Sequence, residues 1–149
     1  HNIKTSQVLF DKRGRFTQLK QLLESEYPQA LQKAIITNNY PLLRSKLTAS
    51  FFEQIEHAVQ RKDSISLIHR TSALLESYFD ILFALNKQTH PGEKRQEAWV
   101  HATCTFIPPL FDEDIKELTQ SIGHASLLEV ITRLLDHLDE LLKQEGWLT

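Results

Sequence analysis

The sequence holds no methionine, one cysteine, four glycines and five prolines among 149 residues. A single cysteine, Cys104, excludes an internal disulfide framework. No apolar run approaches the roughly 18 residues of a membrane-spanning helix. Nor is there an excess of positive charge. Lys and Arg number 17 against 19 acids, and a net charge of −2 excludes a strongly basic nucleic-acid binder. The missing Met and the start His1-Asn2-Ile3 predict that the natural beginning lies upstream and that the chain is a fragment or an excised domain. No stretch has the form of a signal peptide, and the expected location is the cytoplasm.

Glycine and proline together supply about half their average share of ~12%. Leucine outnumbers valine 23 to 4. Unbranched side chains lose less rotamer freedom in a helix than β-branched ones, so this bias favours helix over sheet. The charge is unevenly spread: residues 1–20 carry +4, residues 21–110 balance, and residues 111–149 carry −6.

The run Gln7-Val8-Leu9-Phe10-Asp11-Lys12-Arg13-Gly14-Arg15-Phe16 has a β-favouring start and a turn-type end. It predicts one strand and a turn, and a lone strand needs a pairing partner outside the chain. Helical patterns come next. Thr17 is the expected cap of a helix to about Glu26. Pro28 opens a short helix to about Thr37, and Pro41 opens a longer one through Leu43, Leu47, Phe51, Phe52, Ile55 and Val59. Asp63 is the expected N-cap of a helix to about Lys87, whose wide apolar arc includes Ile65, Ile68, Leu74, Tyr78, Phe79 and Leu82. An arc that wide predicts the central helix of a bundle. Three more helices are expected: from about Glu93 to Phe106, from Asp112 to near Gly123, and a last one through Leu127, Ile131, Leu134, Leu138 and Leu141.

Several groupings invite a chemical reading. Asp112-Glu113-Asp114 has the D-x-D spacing that lets two carboxylates share a divalent cation, and acids in a first helical turn equally complement the helix dipole. Glu53 and His57 stand at i, i+4 with no second metal-ligand pair, which suits a surface ion pair. Cys104 lies within a helical pattern, where a free cysteine is a small buried hydrophobe. Arg95 and His101 form an R-x5-H, the spacing used in HEPN-type helical ribonucleases. The loop His90-Pro91-Gly92-Glu93-Lys94-Arg95 places two adjacent cations at a helix start, where the dipole opposes them. Such a corner suits phosphate, with an ordinary solvated loop as the alternative.

The stretch from Tyr78 to Arg95 (YFDILFALNKQTHPGEKR) resembles the hLFALNRxYxPxxK segment in the C-terminal helical domain of nucleotidyltransferase-superfamily proteins, the DUF4037 group in particular. VLFDKRGRF is similar to the vLyDpdGrl at which those proteins leave the catalytic sheet. The resemblance implies a parent with an upstream catalytic domain, whose Gly-Ser and D-x-[DE] pair bind Mg²⁺ and a nucleoside triphosphate. This chain has no Gly-Ser ahead of a strand-borne D-x-D, so by itself it is expected to be inactive.

The expected fold is thus mainly α, an up-and-down bundle of about five to seven helices after a short strand and turn. Residues 1–16 are read as the strand-turn and linker from the upstream domain, residues 17–149 as the bundle. The expected function is that of a substrate-side accessory domain closing the cleft. Asn86, His90, Lys94 and Arg95 are the candidate nucleotide or acceptor contacts. No catalytic or metal-binding residue is assigned, and no membrane or nucleic acid is expected as a partner. Two alternatives stand beside this: a free-standing helical interaction module, and a ribonuclease using Arg95 and His101. On a helix those two point about 120° apart, so a shared site would call for a homodimer.

Overall fold

A computed structural model describes residues 1–24, 26–45 and 49–148. Among them are eight helices and no strand: α1 (Asn2–Thr5), α2 (Arg15–Leu23), α3 (Gln29–Leu43), α4 (Phe51–Arg61), α5 (Ser64–Leu85), α6 (Gln96–Thr103), α7 (Phe111–Ser121) and α8 (Leu127–Gln144). The mainly α class is as expected. The additional element is α1, a single turn.

Helix α5 is the axis of the fold, with α3 and α4 packed along it, while α7 and α8 form a hairpin that meets α4. The wide apolar arc explains this placement. From Leu74 onward α5 buries Tyr78, Phe79 and the unbroken run Ile81–Leu85. Phe79 sets its ring edge-on to Tyr78 and to Phe111 of α7, which ties the hairpin to the central helix. From α8, Leu127, Ile131, Leu134, Leu138 and Leu142 complete the core. Ile65 and Ile68 of the same arc instead face solvent, at the N-terminal end of α5.

Local chemistry sets several helix ends. The Ser50 hydroxyl accepts the Glu53 N–H at the start of α4, and the Asp63 carboxylate accepts from the N–H and hydroxyl of Ser66 at the start of α5. Lys62 and Lys87 close α4 and α5 in the left-handed conformation, each with φ 56°. Both ends are Schellman motifs. Asp63 N–H bonds the Ala58 carbonyl after α4, and Gln88 N–H bonds the Phe83 carbonyl after α5.

Four expectations are corrected. The turn at 11–14 forms, closed by Gly14 N–H on the Asp11 carbonyl, but residues 6–10 are neither strand nor helix, since no neighbouring strand is there to pair them. Thr17 lies inside α2 rather than capping it. The cap is Gly14, and the Asp11 carboxylate accepts from the Thr17 N–H and hydroxyl. Pro41 does not open a helix; it sits in the last turn of α3. Contacts of the next residues offset the lost bond there: Leu43 is buried, and Arg44 pairs with Asp136 (2.8 Å) and Asp139 (2.6 Å) on α8. The three- and four-residue steps across Pro41 therefore belong to two helices, and Leu47 lies outside the described residues. Finally, the helix expected over 93–106 is shorter at both ends, because Arg95 takes a left-handed φ of 56° before it and Cys104 is extended after it.

Candidate functional site

The corner between α5 and α6 gathers the four candidate residues. Asn86 is the C-cap of α5, and its amide is fully engaged inside the molecule. Its Nδ2 donates to the carbonyls of Leu82 (2.9 Å) and Phe106 (2.8 Å), while its Oδ1 accepts from the N–H groups of Thr105 and Phe106, both at 2.8 Å. Two donors and two acceptor positions are all a side-chain amide has. Asn86 is therefore a clamp that fastens the segment after α6 to the end of α5.

His90 is half-buried, with its ring edge-on to Phe83 at 5.3 Å. Gly92 N–H donates to its Nδ1 (3.1 Å). The side-chain amide nitrogen of Gln96 lies 3.1 Å from His90 Nε2. His90 thus pins both ends of the loop. Gly92 turns the chain at φ +92°, a conformation L side chains rarely adopt.

Lys94 and Arg95 crown this braced loop. Both are exposed, and among the described residues neither forms an ion pair. A non-glycine residue in the left-handed region, as Arg95 is, costs on the order of 1–3 kcal/mol and persists only where its surroundings fix it. Beside the corner a pocket of about 170 Å³ opens, with Phe83, Pro91 and Trp99 among its walls and α1 along one side.

The other groupings resolve differently. Asp112 and Asp114 start α7 together but turn to different partners. Asp112 Oδ1 meets His101 Nε2 at 2.7 Å on the surface. Asp114, 1% exposed, accepts from Arg133 Nε (2.8 Å) and pairs with His137 Nδ1 (2.5 Å). Glu117 takes the remaining arm of Arg133 at 2.5 Å. Among the described residues no group of three or more His, Cys, Asp or Glu could hold a metal ion, and both carboxylates of the D-x-D are engaged with protein partners. Arg95 and His101 lie at opposite ends of α6, and His101 turns to Asp112. Glu53 and His57 form no ion pair among the described residues. Cys104 is half-buried, and burial pushes its thiol pKa up, away from the nucleophilic thiolate.

Two networks escaped sequence reasoning: the Asp114 cluster, and Arg44 with Tyr40 on Asp136 and Asp139. A signal for the first existed. Asp114 and Glu117 stand at i, i+3, Arg133 and His137 at i, i+4, and complementary pairs on successive helices of a hairpin face each other.

No described helix is long and apolar enough to cross a membrane. The chain matches no curated protein and no solved structure. One family model matches, described as a domain of unknown function, DUF4037, over residues 1–96. That span takes in α1 to α5 and the loop with Asn86, His90, Lys94 and Arg95, and stops short of His101. On that match, covering more than half of its length, the chain belongs to the DUF4037 family.

Proposed function

We propose that this chain is the helical accessory module of a nucleotidyltransferase-like protein, and that its α5–α6 corner presents Lys94 and Arg95 to an anionic nucleotide or acceptor. One observation carries the reading: two adjacent cations without acidic partners among the described residues stand on a loop braced from both sides. His90 holds that loop through Gly92 and Gln96, and Asn86 ties the segment after α6 to the end of α5, so in this reading both are positioning residues and the two cations make the contact. Pre-set donors gain affinity because less side-chain freedom is lost on binding. The carboxylates that hold Mg²⁺ belong to the upstream catalytic domain of the parent, since the residues here do not fit the ion.

The N-terminal segment supports the same arrangement. Helix α2 buries none of its residues, and before it Leu9 and Phe10 are 90% and 83% exposed. Apolar side chains so placed suit a surface that another domain covers.

The test is a pair of substitutions in the parent protein. Lys94→Ala and Arg95→Ala each weaken nucleotide or acceptor binding by about tenfold or more, the size of a lost charge-assisted hydrogen bond, with Tm nearly unchanged. Asn86→Ala lowers Tm instead, because it opens the clamp. Binding indifferent to both cation substitutions would reduce the loop to a connector.

A further inference from the structure

A second cationic site lies away from the α5–α6 corner, where α4 packs on α5. Gln54, His57 and Arg61 recur on α4 at steps of three and four residues and so share one face. Ser66 and Arg70, four residues apart on α5, line the opposite wall, and together the five enclose a groove of about 140 Å³. No ion pair involves His57, Arg61 or Arg70 among the described residues.

Stability does not account for this grouping. Arg61, in the last turn of α4, is favoured by the helix dipole. Arg70 stands in the second turn of α5 and gains from neither helix end. The nearby acid, Asp63, feels the Arg61 charge but already accepts two bonds from Ser66, at 3.0 and 2.6 Å, as the cap of α5. Arg61 and Arg70 line one groove from facing helices, so an anion held there meets both charges. Their planar forks match the oxygens of a phosphoryl group, while Gln54, with one amide hydrogen on the Ala49 carbonyl (3.1 Å), has a second to offer.

We propose that this groove is a phosphoryl-binding site, with Arg61 and Arg70 as the paired donors, which accepts the phosphate of a small phosphate ester or free phosphate. A small ligand is favoured over a nucleic-acid strand for two reasons. The groove has room for one phosphoryl group and its immediate substituent, and the chain as a whole carries −2. The site is separate from Lys94 and Arg95 and does not depend on their role.

The experiment is an NMR titration of the chain with inorganic phosphate, inorganic pyrophosphate and AMP, followed at the backbone amides and arginine side chains. Saturable shifts at Arg61, Ser66 and Arg70 are expected, with affinity about tenfold or more weaker in Arg70→Gln and in Arg61→Gln. The affinity should be unchanged in a Lys116→Ala variant, which removes an exposed cation on α7 outside the groove. AMP binding more tightly than phosphate assigns the site to an ester, and equal binding assigns it to the free anion. The proposal is overturned by non-saturable shifts at millimolar ligand, by affinities that both arginine variants leave intact, or by saturation with a single-stranded RNA oligonucleotide alone.

Discussion

Asp114 is the most deeply buried acid among the described residues, and its two oxygens are held by Arg133 and His137. A buried carboxylate is tolerated only when paired and hydrogen-bonded, and removing its charge leaves the partners facing a poorer acceptor. Asp114→Asn should therefore cost about 3 kcal/mol, seen as a lower denaturant midpoint. Glu113→Gln, one residue away and exposed, should stay within about 0.5 kcal/mol. Equal losses at both positions would mean that only the shared helix dipole matters. Tyr40 offers a second check at this scale. Its hydroxyl donates to Asp139 Oδ1 at 3.0 Å, and burial, with the Asp139 charge beside it, pushes the phenol pKa up to about 12. A pKa raised above its ordinary 10 adds stability that is whole below pH 10 and is lost as the pH climbs through about 12. Ultraviolet titration should show a tyrosine ionising near that pH, and Tyr40→Phe should remove the step.

Among the helices, burial is shared very unequally. Helix α5 has eleven buried residues and α8 has eight, whereas α1 and α2 have none. A nine-residue helix is too short to persist in water on its own propensity, so α2 depends on what it leans against. Lys20 Nζ on the Ser6 carbonyl (2.6 Å) and the Asp11 carboxylate on Thr17 hold it locally. Backbone amides of α2 should then exchange with solvent orders of magnitude faster than those of α5 between Leu74 and Leu85, which should open only with global unfolding. Comparable protection of the two helices would show that α2 is part of the main cooperative unit.

Across the whole molecule, charge and shape divide the labour. The α7–α8 hairpin gathers the acidic end of the chain, while cations that form no ion pair among the described residues stand at the α5–α6 corner and in the α4–α5 groove. No group of three or more His, Cys, Asp or Glu that could hold a metal ion lies among the described residues, and nucleotidyl transfer depends on metal-bridged oxygens. With Mg²⁺ and ATP the chain alone should show no transfer to any acceptor. Turnover that disappears in an Asp112→Asn/Asp114→Asn double variant would reverse the reading of that acidic turn.

Local and compositional features were legible in the amino-acid order alone. The scarcity of glycine and proline and the excess of leucine over valine dictated the helical class. The side chain of Asp63 dictated where α5 starts, because a cap acts within one turn. The width of the apolar arc made α5 central, because a helix apolar over so much of its surface must be covered on several sides. Other features depended on packing between distant segments. Pro41 stayed inside α3 because Leu43 is buried in the core and Arg44 is held by Asp139, 95 residues further along the chain, contacts that no local preference anticipates. Asn86 became a clamp rather than a free amide because residues 105 and 106 return to it from beyond α6. Asp112 and Asp114, alike in sequence, parted because one faces outward to His101 and the other inward to Arg133 and His137, a difference of helix face that takes effect only when α7 packs on α8.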